Sequence, residues 1–245
     1  MSRSLRNTSG GMAVSGGALS PRRNRPNSTF QVDSWKKNVS KPATYTIQYF
    51  IVAGGRSGYN QGNFSSGDGA GGGDGAARET VTGAVVNTGQ SYTITVGAGG
   101  TGSFQLGGSS AAFGTTKTSG GGGSGGTSSY SGTSLGYGGY GGAGGNAGTN
   151  SYGNGDGVGQ SGVNGGGNGG TAVGQAGQAG RVNSGGGGGG GGGWGGGPGA
   201  GGSGTVIIQY LETLDPAEAT TGSPTVSTSG GYRIYNFTGS GSIIF

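Results

Sequence analysis

Nine consecutive glycines, Gly185–Gly193, stand a short distance before the cleanest strand pattern of the chain, Thr205-Val206-Ile207-Ile208-Gln209-Tyr210. A run of this kind is either a flexible tether or a segment whose backbone groups are satisfied by close neighbours. A strand locked to its end argues for the second. Glycine without Cβ lets backbone pack on backbone, but it loses more conformational freedom on folding than any other residue. The geometry that suits it is the extended left-handed helix of the polyproline-II type, with three residues per turn and no internal hydrogen bonds. Its N–H and C=O groups point sideways, toward neighbouring helices. At about 3.1 Å per residue the nine glycines would span roughly 28 Å, a workable layer thickness. The rest of the chain reads as a frame for such a layer.

Composition narrows the outcome further. Of 245 residues 72 are glycine and 28% are hydrophobic, against about 45–50% apolar residues in ordinary globular domains. A conventional oil-drop core of this length is therefore not expected. Dense backbone hydrogen bonding or subunit burial must offset the entropy of ordering so much glycine. With no Cys and no His, disulfides, thiolate metal sites and the commonest general base are absent. No apolar run approaches the ~20 residues of a membrane span, so no membrane insertion is expected. The start lacks the apolar core of a secretion signal.

Charge divides the chain in two. Residues 1–41 carry eight basic residues against Asp33 alone, a net of +7, whereas the remainder carries five basic and seven acidic, a net of −2. Residues 1–43 have no helical or strand period and are read as an extended basic arm. Its anchoring candidates are Arg22, Arg23, Arg25, Trp35, Lys36 and Lys37. Trp35 beside two lysines would clamp an acidic surface through charge and cation–π contact. A disordered tail is the bland alternative. The Arg22-Arg23-Asn24-Arg25 cluster has no folded module around it, so nucleic acid is not the expected partner.

Residues 44–210 are read as a glycine-rich β/polyglycine domain, and 211–245 as a linker and C-terminal β-hairpin. Strands are expected at Thr44–Ala53, Thr80–Val86, Ser91–Val96, Val206–Tyr210, Tyr232–Phe237 and Ser242–Phe245, with a short strand or turn around Phe113. The glycine-dense pieces Gly120–Gly126, Gly136–Gly148, Gly165–Gly170 and Gly185–Gly204 are each read as a helix of the stack. Asn146–Asp156 and Thr171–Asn183 are read as connecting loops. Gly97–Gly102 (GAGGTG) formally matches a dinucleotide fingerprint, but no helical pattern follows it. Six prolines and no Gly-X-Y register exclude a collagen triple helix. The fold class is thus mainly β: a short antiparallel sheet framing a stack of polyglycine-II helices, with an extended arm.

Carboxylates Asp68, Asp74, Glu79, Asp156, Glu212, Asp215 and Glu218 are scattered, with no spacing that defines an acid–base pair. No catalytic role, cofactor or metal is expected. Asp68–Asp74 and Asn154–Asp156 match no calcium loop.

The ordered set Tyr49–Gly55 (YFIVAGG), Ser91–Gly100 (SYTITVGAGG), the polyglycine tract and Gly204–Tyr210 (GTVIIQY) resembles the glycine-rich domain of bacteriophage tail and fibre proteins. A looser relative is the tail-fibre tip adhesin of T-even-like phages. Gly231–Phe245 is similar to the hairpin that usually opens such a domain, yet here it comes last. It would begin a second unit, or complete the sheet of this domain or of a neighbour. The resemblance covers about Thr44 to Phe245. It implies a virion protein made in the host cytoplasm, a tail fibre or tail-tip adhesin, assembled as a homo-oligomer with a trimer favoured. The arm would contact other virion proteins, and the loops a host surface glycan or outer-membrane protein. Loops rich in Tyr, Ser, Gly and Asn suit adaptable recognition, which makes Tyr59, Phe64, Tyr130, Tyr137, Tyr140 and Tyr152 the receptor-binding candidates. The bland alternative packs these tyrosines over glycine faces, and makes Trp194 a plug at an edge. Two other readings compete: a head, neck or tail-adaptor component without receptor contact, and a low-complexity wall or RNA-associated protein. The absence of Arg-Gly-Gly repeats weakens the last.

Overall fold

The computed structural model describes residues 41–59, 70, 72–119, 125–139, 162, 164–172, 174–193 and 195–245. The arm residues Arg22, Arg23, Arg25, Trp35, Lys36 and Lys37 lie outside these, as do Phe64, Tyr140, Tyr152 and Trp194. The described residues are mainly β, arranged in antiparallel sheets, and contain no helix. Their strands are β1 (Thr44–Val52), β2 (Arg78–Asn87), β3 (Ser91–Ile94), β4 (Ser110–Ala112), β5 (Thr115–Lys117), β6 (Gly126–Ser128), β7 (Leu135–Tyr137), β8 (Thr205–Leu211), β9 (Ala219–Thr221), β10 (Thr225–Ser229), β11 (Tyr232–Phe237) and β12 (Gly241–Ile244).

The principal sheet has five strands in the order β10-β11-β8-β1-β2. Its central strands β1 and β8 pair from Gln48↔Gln209 to Val52↔Thr205. Side chains alternate across a strand, and both faces of this sheet are covered. On one face Tyr45, Ile47, Tyr49 and Ile51 of β1 meet Val206, Ile208 and Tyr210 of β8. The three-stranded sheet β3-β12-β9 closes this layer with Ile94 and Ile243, and Phe245 follows on from β12. On the other face Phe50, Val52, Ile207 and Ile234 pack with Tyr137. A strand buried on both sides needs apolar residues at successive positions. That is why Tyr49–Ala53 and Val206–Ile208 read as unbroken apolar runs. Each such fully buried Ile or Phe contributes about 1.5–3 kcal/mol.

The C-terminal segment differs from expectation. Tyr232–Phe237 and the last strand do not form a hairpin with each other. β11 pairs with β8 and β10, while β12 pairs with β3 and β9 in the second sheet. The chain crosses between sheets because Phe237 and Phe245 both belong in the layer between them. The tight hairpin is instead β10–β11, closed at Ser229↔Tyr232 by Gly230 and Gly231 at φ 58 and 82. Positive φ at both central positions is what a two-residue hairpin turn requires. Residues from 211 onward therefore add strands to both sheets, β10 and β11 to the first and β9 and β12 to the second.

Where the strands end, the pairing rule changes. Ala53 and Arg56 donate backbone hydrogen bonds to Ala77 and Asp74, while Gly54 and Ser57 donate to Gly108 and Gln105. Gly55 and Gly58 donate to Gly202 and Gly199. The partner rotates through three neighbours and returns at every third residue. In a sheet, a strand's hydrogen bonds alternate between its two sides.

Gly185–Gly193 is buried throughout and behaves in the same way. Gly188 and Gly191 donate to Arg56 and Tyr59, and Gly189 and Gly192 to Gln178 and Gln175. In return the carbonyls of Gly185, Gly188 and Gly191 accept from Ala76, Gly73 and Ala70. Those of Gly186 and Gly189 accept from Gly202 and Gly199, and those of Gly187 and Gly190 from Gly167 and Gly170. A Cβ on Gly187 would overlap the Gly73 carbonyl, and one on Gly189 the Asn168 carbonyl. Only glycine allows this approach. Thr171–Asn183, expected as a loop, contributes a further flank: Gly177 and Gly180 donate to Gly197 and Ala200. Its glycines at 174, 177 and 180 recur every third residue, while Gln175 and Gln178 between them are exposed.

Candidate functional site

The glycine segments leave the sheet at one end and extend away from it. Tyr59 lies at the far end of the segment that continues β1, where its carbonyl accepts from Gly191 at 3.5 Å. Tyr59 is 38% exposed, and its ring and that of Phe104 meet edge to face, with centroids 5.6 Å apart and planes at 88°. Phe104 is itself 45% exposed and holds φ at 56. A bulky residue in that region is strained by about 1–3 kcal/mol.

Neighbouring backbone keeps it there. Phe104 N donates to Gly58 O at 2.8 Å, Ser57 N to Gln105 O at 3.0 Å, and Gln105 N to Ser57 Oγ at 2.8 Å. Behind the ring lies the guanidinium of Arg56, 3.8 Å from the centroid. Arg56 Nη1 donates to Asp74 Oδ2 at 3.0 Å, and Arg56 N donates to Asp74 O, so the two residues are joined through both side chain and backbone. An exposed cation–π contact of this type contributes about 0.5–1 kcal/mol. The result is an aromatic corner with a neutralised ion pair beside it. Leu106, two residues on from Phe104, is 55% exposed.

The other described tyrosine candidates serve the interior. Tyr137 is buried, with its ring 4.8 Å from that of Phe50. This corrects its assignment to a contact loop, because β7 turns it onto the sheet. Tyr130 is half-buried, and its hydroxyl donates to Gln48 Oε1 at 3.1 Å. Burial, with Tyr232 adding, pushes its phenol above the usual range. Of the candidate set, Tyr59 is the described member that remains on the surface. Phe104 escapes a reading of the sequence because a lone Phe between glycine loops has no period. Its one signal is Phe104-Gln105-Leu106, an apolar pair with no strand around it.

A second apolar surface lies on the sheet side. Val85, Tyr92, Thr93 and Phe113 line an open depression of about 410 Å³. Phe113 also has positive φ, 50, at the β4–β5 turn, but its ring packs on Tyr49, Tyr92 and Phe245. There, core packing offsets the strain.

Asp74, Glu79 and Glu218 sit in three separate ion pairs, with Arg56, Lys117 and Lys41. Among the described residues no three carboxylates gather where a metal ion would sit, and no helix is long and apolar enough to cross a membrane. No protein-family model, curated protein or solved structure matches the chain.

Proposed function

We propose that this chain is a bacteriophage virion protein, a tail fibre or tail-tip adhesin, whose glycine segments form a stack of polyglycine-II helices carrying contact loops at the end away from the sheet. The observation that carries this reading is the three-residue return of hydrogen-bond partners, along the segment 53–58 that continues β1 and along Gly185–Gly193. That period is the one such helices require. Strands fix one end of the stack, so variation is confined to the other, where Tyr59 is exposed. The basic arm, with Arg22, Arg23, Arg25, Trp35, Lys36 and Lys37, mounts the protein on other virion components. The assembly is a homo-oligomer, most simply a trimer, and the target is a host surface glycan or outer-membrane protein.

The test is competition. Purified protein should block adsorption of the phage that carries it, and a virion reconstruction should place the Tyr59 end distally. Undiminished adsorption at saturating protein would reject the adhesin role. The burial of Tyr137 favours a second reading, a head, neck or tail-adaptor component in which the glycine layer is a spacer. In that case the reconstruction places the Tyr59 end against another virion protein.

A further inference from the structure

We infer that Phe104, Tyr59 and the Arg56–Asp74 pair form a binding site for one neutral pyranose unit of a carbohydrate. This rests on the contact role proposed for the Tyr59 end, and names its ligand class. Two strained phenylalanines make the contrast that carries it. Phe113 at φ 50 has its ring among Tyr49, Tyr92 and Phe245, so the interior requires it. Phe104 at φ 56 holds no place in either apolar layer and leaves 45% of its surface to solvent. Backbone strain kept at an exposed ring is the mark of a functional position.

The surroundings select the ligand. Arg56 occupies one side of the Phe104 ring at 3.8 Å, and Tyr59 stands at 88° to it. Two aromatic surfaces at a right angle form a corner for the C–H face of a sugar ring. The side chain of Asp74 is 39% exposed and that of Arg56 21% exposed, which supplies acceptor and donor groups for hydroxyls at its rim. Because the two charges already neutralise each other at 3.0 Å, the corner offers no net charge to a phosphate or an acidic polymer. The clip between Ser57 and Gln105 pre-orders the rings, so little side-chain freedom is lost on binding.

The full chain would be titrated with methyl glycosides of glucose, galactose, mannose and N-acetylglucosamine, read by saturation-transfer NMR. At least one should receive saturation at its ring C–H protons. Phe104→Gly should reduce that signal at least five-fold, while the thermal midpoint stays the same or rises because glycine accepts φ 56 without strain. Tyr59→Ala should reduce it as well. No transfer to any of the four sugars, or equal transfer with Phe104→Gly, overturns the site. So does stronger binding of polyglucuronate or of an apolar peptide than of every neutral sugar. Failure here with intact adsorption competition removes the saccharide site and leaves the virion role standing; sugar binding by a protein that does not block adsorption does the reverse.

Discussion

The five-stranded sheet and the glycine segments are two halves of one backbone run under different rules. In the sheet, hydrogen bonds go to two sides and leave two faces for side chains, and burial of Ile, Phe and Tyr supplies the driving force. Beyond Ala53 the same chain turns its backbone groups to three sides, and the glycines that face another segment's carbonyl leave no room for a side chain. The interior there is backbone. The antiparallel sense is inherited across the boundary: Val52↔Arg78 in the sheet is followed by Ala53 to Ala77, then Arg56 to Asp74. The difference teaches where tolerance lies. A side-chain core can re-pack around a changed residue, whereas a backbone core has no soft atoms to move.

The sharpest way to break this contrast is to add one methyl group. In Gly187→Ala the new Cβ would overlap the carbonyl of Gly73, with the Asp74 backbone close behind. Both are main chain, and their residues are tied in place by the bonds from Gly73 N to Gly188 O and from Arg56 N to Asp74 O. Loss of more than about 4 kcal/mol is expected, an exceptional value for so small a change. Urea denaturation checks it, and a midpoint close to wild type would end the idea of a backbone interior. The matching truncation in the sheet is Ile208→Ala, fully buried in the layer shared by both sheets. It should cost about 2–5 kcal/mol, since partial collapse around the cavity is available. The ranking of the two variants is the informative quantity.

The sheet is legible in the sequence because its signal is carried by side chains. Tyr45, Ile47, Tyr49 and Ile51 mark one face of β1, and Val206, Ile208 and Tyr210 one face of β8. By contrast β10 (TVSTS) is exposed along its whole length as an edge, so burial wrote no pattern into it. The pairing of Tyr232–Phe237 departs from expectation because short strands joined by a turn look like a hairpin whether or not they part. The glycine run is recognisable as packed, but its flanks are not all glycine-dense. Gly174, Gly177 and Gly180 read as a segment only through their three-residue period. Of the candidate site, Tyr59 is legible and Phe104 is not, since its exposure is set by hydrogen bonds from a remote segment.

Alkaline titration separates the halves chemically. Burial, with Tyr235 adding through its hydrogen bond and charge, pushes the Tyr210 phenol above its ordinary value, which is about 10. The folded state therefore holds this proton more tightly than the unfolded chain. Its contribution to stability is complete below about pH 10 and is lost as pH rises from there toward the raised value. Tyr45 is shifted in the same direction by burial. Thermal midpoints should fall above about pH 10, and Tyr210→Phe should flatten that fall. Hydrogen exchange in Gly185–Gly193 should change only when the sheet itself opens. Glycines that lose protection first, with the sheet intact, would show the two halves to be uncoupled.

The smallest effect is the control on which the largest depends. Gly197 belongs to the same glycine tract as Gly187, and its carbonyl accepts from Gly177 N at 2.9 Å. Yet a Cβ on Gly197 would meet nothing within 4 Å, and its φ lies outside the left-handed region. The residue that follows is Pro198, which favours the extended conformation that alanine also adopts. Gly197→Ala should therefore leave the packed state unchanged and remove freedom only from the unfolded chain, raising stability by about 0.4–1 kcal/mol. Measured by urea denaturation beside Gly187→Ala, the pair holds residue type and substitution constant while changing only what the methyl group meets. Should Gly197→Ala be as damaging as Gly187→Ala, the cost would belong to glycine in general, and close approach of carbonyls would not be its cause.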